Sequence, residues 1–392
     1  MSLVHQRSLS DLRGVVRLAT EATVGVTDLV EKMHHTIQLG HAPIGVSRAG
    51  STGGLTGFVY RRIRGTTRLV GKGIDVALAP VSKMLPEKVS STSRDAFVSA
   101  INGVYGDHLS DTNNPLAIKM SLRHAGQTVD PDQPDALSAV GNESVLTNRI
   151  LLFVHGLCLN EGHWAKDGYH RGQQLADDLG YTPLYLRYNS GLPIAVNGRE
   201  LSSIMERLLA NWPVPVTELV IVGHSMGGLL ARSACLQGAT GDFDWLRHLR
   251  KMVFVGSPHH GAPLERGGNL MDFVMDLSPY LAPFTRIAKK RSAGITDLRY
   301  GCITNKRRQF VPLPEDVECY AIASTLAKKR HRIHEKLVGD GLVPVDSALG
   351  KHKDPARTLL ISESHQWVAY ETGHIALLGS PEVYKQMYHW LK

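Results

Sequence analysis

The residue of this chain best placed to do chemistry is Ser225, in the run Glu218-Leu-Val-Ile-Val-Gly-His-Ser-Met-Gly-Gly-Leu-Leu-Ala-Arg232. An apolar stretch of strand character passes into Gly223-His224-Ser225-Met226-Gly227 and then into a helical run. Small residues two positions either side of the serine let strand and helix approach closely, while the serine itself is held in a strained turn. At the start of a helix, positive backbone dipole lies near any negative charge that develops on a substrate oxygen. The chemistry this predicts is nucleophilic attack. A serine hydroxyl is a weak nucleophile at neutral pH, so it needs an imidazole as general base, and the imidazole needs a carboxylate to fix its tautomer. In a chain with 38 glycines a bare Gly-x-Ser-x-Gly also arises in ordinary loops; the strand before it and the helix after it set this one apart.

Gly223–Gly228, reading Gly-His-Ser-Met-Gly-Gly, resembles the nucleophile turn of lipases and esterases in the α/β-hydrolase superfamily, and the resemblance extends over about Leu116 to Lys392. Phe153-Val-His-Gly-Leu157 is similar to the segment that follows an early central strand in lipases. By that resemblance the backbone amides of Leu157 and Met226 bind the oxyanion. In this superfamily the acid and then the base follow the serine along the chain. Gly339-Asp340-Gly341-Leu-Val-Pro344 resembles the segment that carries the acid in many lipases, which implies Asp340. Asp-Gly is also a turn signal, so a turn-capping aspartate is the alternative reading. Asp346 is the runner-up, and Asp354 lies in a more ordinary charged loop. The Gly-His of Glu371-Thr-Gly-His-Ile-Ala-Leu378, followed by Ser380-Pro-Glu-Val383, resembles the end of lipase-like hydrolases, where the base precedes the final helix; this implies His374. His365, in Glu363-Ser-His-Gln-Trp367, is the other candidate, or a polar residue lining the site.

Gly256-Ser-Pro-His-His-Gly-Ala-Pro263 is similar to a Pro-His-x-Gly segment near the site of bacterial triacylglycerol lipases and GPI inositol-deacylase-like lipases. The interval that follows breaks the strand-helix rhythm, with Met271, Phe273, Val274, Met275, Leu277, Tyr280, Leu281 and Phe284 forming an apolar cluster. It reads as a helical cap insertion over about 262–314, suited either to an acyl chain or to packing as ordinary core. Together these features imply a serine carboxylic-ester hydrolase acting on an acyl-ester or lipid substrate through an acyl-enzyme on Ser225, with no cofactor. Thioester or amide cleavage would use the same groups, and a hydrolase-fold protein that only binds a partner is the reading from a different class. Dehalogenases and epoxide hydrolases carry an aspartate where Ser225 stands. His155, His163, His259 and His260 lack the local spacing of a zinc hydrolase.

The elements that must position these residues follow from the apolar pattern. From Leu116 onward short apolar strands alternate with helical stretches, which predicts a mostly parallel, doubly wound sheet covered on both faces. Strands are expected at Arg149–Val154, Pro183–Tyr188, Glu218–Gly223, Lys251–Val255, Glu318–Ala323 and Arg357–Ser362, with an opening hairpin at Leu116–Arg123 and Thr128–Val129. Helices are expected near Gly172–Leu179, Gly198–Asn211, Gly227–Leu236 and Glu382–Leu391.

Residues 1–115 read as a helical N-terminal accessory region, and 116–392 as the catalytic domain. Apolar residues recur at helical spacing from Leu12 to Ile37 and again from about Leu55 to Ala79, and a third helix is expected at Ser93–Tyr105. The second carries Leu55, Phe58, Val59, Ile63, Leu69, Val70, Ile74 and Ala77 on one side, and Arg61, Arg62, Arg64, Arg68 and Lys72 against the single acid Asp75. A basic amphipathic helix packs on its own domain or lies on an anionic membrane; packing is the commoner use of an apolar face.

The 43% apolar and 20% charged content over 392 residues is that of a globular chain, and no apolar run approaches the roughly 20 residues of a membrane span. Arg7, Asp11, Arg13 and Arg17 interrupt any signal-peptide core, so a cytoplasmic protein with optional peripheral membrane contact is expected. Cys158, Cys235, Cys302 and Cys319 lack paired spacing and read as reduced thiols. The net charge of +8 brings no nucleic-acid motif with it, and oligomeric state is not fixed by these patterns.

Overall fold

The structure is a computed structural model, and it describes residues 11, 13–21, 23–24, 27–28, 31, 54–83, 92–134, 146–166, 169–262, 292–306, 309–328 and 339–392. Its centre is a strand of unbroken apolar character, β3 (Arg149–Val154), whose last five residues are buried. Such a run, lacking the polar alternation of a half-exposed strand, belongs in a sheet covered on both faces. Its neighbours are β4 (Thr182–Arg187) and β5 (Glu218–His224), both parallel to it, with Leu152 level with Leu184 on one side and Ile221 on the other.

Beyond β5 come β6 (Leu249–Val255), β7 (Glu318–Ser324) and β8 (Gln366–Ala369), all parallel. Beyond β4 comes the hairpin of β1 (Ser121–His124) and β2 (Gln127–Val129), β1 pairing antiparallel with β4. The order β8-β7-β6-β5-β3-β4-β1-β2 is that of an eight-stranded, mostly parallel sheet, and the fold is the α/β-hydrolase fold. The chain leaves β3 toward β4 and then returns to place β5 on β3's other side. The carboxyl ends of β3 and β5 therefore flank a topological switch point, where open α/β sheets form their crevices.

Helices Arg171–Leu179, Ile194–Ala210, Met226–Thr240 and Pro381–Leu391 accompany the sheet near the expected places. Leu151, Phe153, Val220, Val222, Val253 and Ile322 join Trp390 and Leu391 of the final helix in one core; complete burial of each such side chain is worth about 1.5–3 kcal/mol. One expected strand is displaced. Arg357–Ser362 makes no ladder: Pro355–Arg357 is a 3-10 turn, Leu359 N–H donates to the Gly350 carbonyl, and the last strand forms at Gln366–Ala369 instead. Leu359 and Ile361 are buried while Leu360 between them is exposed, so the alternation visible in the sequence is real but anchors an extended loop. The expected cap insertion falls mostly on 263–291, which lie outside the described residues; Ala293–Tyr300, at its far end, is helical.

The chain divides into two compact units, one holding the described residues up to Ser91 with Leu109–Ala117, the other Thr92–His108 and the described residues from Ile118 onward. In the first unit the described positions between 11 and 31 are helical, as is α1 (Gly54–Lys83). Arg64 on α1 pairs with Asp28, at 2.8 Å, and with Glu31. Gly57, Tyr60, Arg64 and Thr67 form the more covered side of α1, whereas Phe58, Val59, Ile63, Leu69 and Val70 are exposed. Between positions 58 and 70 the apolar stripe legible in the sequence is thus the exposed side of the helix. The next helix, α2 (Thr92–Asp111), departs from helical geometry at Tyr105, and its stretch up to His108 belongs to the unit built on the sheet. Among the described residues no helix is long and apolar enough to cross a membrane, and all four cysteines are free and buried.

Candidate active site

Ser225 lies between the end of β5 and the helix Met226–Thr240, with φ 52° and ψ −122°. A non-glycine residue in this region is strained and is held there only by surrounding structure. Glycine makes the turn possible: a Cβ on Gly223 would lie 2.6 Å from the Gly228 Cα, and one on Gly227 2.2 Å from the Val154 carbonyl oxygen. The turn is pinned by the Ser225 N–H, which donates to the Val255 carbonyl at 2.8 Å. Met226 is the first residue of its helix, so its N–H has no intrahelical acceptor.

The loop leaving β3 approaches the serine from the other side of the switch point. A Cβ on Gly156 would meet the Ser225 Cβ at 3.0 Å. Leu157 follows, buried, and then Cys158, with φ 63°. The Cys158 N–H donates to Ser190 Oγ at 3.0 Å, and burial pushes its thiol up to about 12. This loop is backed by α2, where Gly103 touches Cys158 and the Ser99 hydroxyl accepts from Asn160 Nδ2 at 3.1 Å. The two loops that flank the switch point thus each contain a strained, non-glycine residue.

Asp340 and His374, 34 positions apart, meet: His374 Nδ1 donates to Asp340 Oδ2 at 2.8 Å. The same oxygen accepts from Ser324 Oγ at 2.9 Å, and Oδ1 accepts from the N–H groups of Leu342 and Val343 at 3.0 and 2.8 Å. Gly339 and Gly341, at φ 52° and 97°, supply the left-handed backbone on either side. Burial pushes the Asp340 carboxyl up, but the charge and hydrogen bond of His374 and the two backbone donors outweigh it and hold the group below its ordinary range. Asp346 is exposed, and Asp354 caps a 3-10 turn through the Ala356 N–H. His365 precedes the last strand rather than following it, with its ring 4.2 Å from that of Tyr320.

A small cavity of ≈ 20 Å³ joins the pieces, lined by Gly156, Leu157, Ser225, Leu298, Val343 and His374 among others. It has room for about one water molecule. His224, in the sequence only the residue before the serine, lies against His374 with ring centroids 4.8 Å apart, and its Nε2–H donates to the His374 carbonyl at 3.2 Å. Burial, reinforced by the charge of His374, pushes His224 well below its ordinary value, so it stays neutral. Ser324 and Ser190 also carried no signal, because an isolated serine after a strand is unremarkable until the fold shows what it touches.

Of the Gly256–Pro263 segment, the described residues Gly256–Ala262 adjoin this site. Gly256, at φ 62°, leaves room for the His374 ring: a Cβ there would lie 3.2 Å from the imidazole Cε1. Ser257 Oγ donates to the Gly223 carbonyl at 3.3 Å, and His259 Nδ1 accepts from the buried Arg232 at 3.3 Å. The four histidines weighed as metal ligands have separate partners: His155 stacks on Tyr188, His163 bonds Asn160, His259 meets Arg232, and His260 bonds the Gly350 carbonyl. Among the described residues no group of three or more His, Cys, Asp or Glu is arranged to hold a metal ion.

Residues 195–320 match the family described as PGAP1-like alpha/beta domain, a span that contains the Ser225 turn and ends before Asp340 and His374. No curated protein matches the chain. Among solved structures, a Bacillus licheniformis lipase, BlEst2 in mature form, is similar at 14% identity and TM-score 0.42, over 64% of this chain and 96% of that one. Aspergillus fumigatus lipase B is similar at 13% identity and TM-score 0.40, over 82% and 78%. The Pyrococcus furiosus esterase PF2001 is similar at 15% identity and TM-score 0.38, over 62% and 81%.

Proposed function

We propose that this chain is a serine hydrolase of carboxylic esters. Ser225 Oγ attacks the ester carbonyl carbon as its proton passes to His374 Nε2, the ring nitrogen left free by the bond from Nδ1 to Asp340. The buried Asp340 carboxylate fixes the tautomer and stabilises the imidazolium. The N–H groups of Leu157 and Met226 receive the charge that develops on the carbonyl oxygen. The alcohol leaves with the proton from His374, and water, deprotonated by the same imidazole, hydrolyses the acyl-serine. Apolar residues around the serine, Leu157, Leu159, Leu298, Leu342 and Val343, suit an acyl chain more than a polar acid.

The observation that carries this reading is the meeting of three residues distant in sequence: the 2.8 Å bond between His374 and Asp340, with Ser225 on the same cavity in a strained turn. The test is turnover of nitrophenyl esters of increasing acyl length by wild type and Ser225→Ala, with fluorophosphonate labelling of each. The variant is expected to lose both labelling and roughly 10^4-fold or more in kcat. Equal turnover by the two proteins would remove the nucleophile, and a wild type inert on every acyl length would favour a binding protein on this fold.

A further inference from the structure

The exposed side of α1 is unlike the rest of the described surface. Among the described residues, five of the ten large hydrophobic ones that are exposed lie in this one helix between positions 58 and 70: Phe58, Val59, Ile63, Leu69 and Val70. Leu69 keeps 73% of its surface and Val70 56%. Scattered apolar side chains on a surface are ordinary; a contiguous set on one helix is an interaction site. At 3.6 residues per turn these five cover about 140° of the helix circumference. Arg61, Arg68 and Lys72 line one flank of that arc and Arg62 falls within it, all four exposed. The opposite side, with Tyr60, Arg64 and Thr67, is the more covered one, and Arg64 is neutralised there by Asp28 and Glu31. Asp75 is the only acidic residue in the helix.

We infer that this face of α1 docks on a membrane surface containing anionic lipid, with Phe58, Val59, Ile63, Leu69 and Val70 in the acyl boundary and Arg61, Arg62, Arg68 and Lys72 at the phosphate level. Charge complementarity selects this occupant: long basic side chains bury their stems beside apolar residues and hold their heads in the anionic headgroup layer. A nucleic acid would use the basic residues but give the aliphatic ones no partner, since it is bound through phosphates and through bases stacked on aromatic side chains. The helix is too basic to span a bilayer, so it lies along the surface. This docking is independent of the chemistry proposed for Ser225.

The test is sedimentation of the full chain with vesicles of phosphatidylcholine alone and of phosphatidylcholine mixed with phosphatidylserine. Wild type is expected to partition onto the mixed vesicles, and Ser225→Ala equally well, so failure of the docking and failure of the hydrolase reading are separable. Replacing Arg61, Arg62 and Arg68 by Gln should weaken partitioning on the order of 100-fold, about five-fold for each charge. Replacing Phe58, Leu69 and Val70 by Ser should abolish it, with an unchanged melting temperature because these side chains are exposed. Trp introduced for Leu69 should shift its emission to the blue on mixed vesicles, whereas Trp for Thr67 should not. Wild type that stays in the supernatant with both vesicle types, undiminished partitioning of the Ser variant, or an α1-dependent complex with single-stranded DNA formed in preference to vesicles would each overturn the inference. So would self-association removed by the Ser variant in a chain that leaves vesicles unbound.

Discussion

Replacing Gly103 by Ala tests whether α2 holds the candidate oxyanion loop in place. The added methyl would lie 2.2 Å from Cys158 Sγ and 3.0 Å from the Cys158 Cα and N, so both a side chain and a backbone stand in its way. Overfilling a packed interior in this way costs about 1–3 kcal/mol. Relief must come from movement of the loop, because Gly103 is fixed on the other side by Ser292 Oγ, which donates to its carbonyl at 2.7 Å. Cys158 already has φ 63° and adjoins Leu157, whose N–H is the proposed oxyanion donor. A displacement near 1 Å at such a donor costs about 100-fold in rate. Gly103→Ala should therefore lower the melting temperature by a few degrees and lower kcat by about 10- to 100-fold, with KM changing less. In a Cys158→Ala background the sulfur clash is gone while the backbone approach remains, so part of both losses should return, a coupling of about 1 kcal/mol. The assays are thermal unfolding and ester turnover on the four proteins of the cycle. A lowered melting temperature with full kcat would refute the positioning argument and leave the contact as packing alone; full additivity would refute the geometry behind it.

Asp340→Asn keeps the shape of the loop but replaces the acceptor of the His374 Nδ1 proton, so kcat on the best nitrophenyl ester should fall by about 10^4 with KM little changed; a loss under ten-fold would show that another group orients the imidazole. Stability should also weaken on the acid side: burial keeps His224 and His259 neutral well below their ordinary value and lowers His155 to about 3. A depressed folded value means that the contribution is complete above the unfolded value of about 6.5 and is lost as pH falls, by about 1 kcal/mol per pH unit for each group. Asp340, also depressed, adds to this only near and below about pH 4. Urea midpoints should be flat between pH 7 and 8 and drop by pH 5.5, less steeply in His224→Phe; a midpoint unchanged at pH 5.5 would contradict the burial of these rings.

The sequence by itself determined what is local. The strand, the turn at Ser225 and the helix after it are legible because a near-continuous apolar run, two glycines and a serine at fixed offsets leave the backbone one compact solution. The glycines around Asp340 and the Gly-His before the final helix are signals of the same kind. Tertiary structure decided what depends on contacts between distant segments. Asp340 rather than Asp346 is next to His374, because the loops leaving β7 and β8 emerge side by side only once the sheet is ordered. The pattern at Arg357–Ser362 qualified as a strand as well as Gln366–Ala369 did, and ladder partners, absent from any local pattern, chose between them. The phase of α1 could be read but not which side is covered: Arg64 faces Asp28 and Glu31, while Phe58, Val59, Ile63, Leu69 and Val70 are exposed, a choice that rests on contacts with other segments. Ser225 is thus recognisable from its own neighbourhood, while its partners and the loop that faces it are assembled by the order of strands around β3.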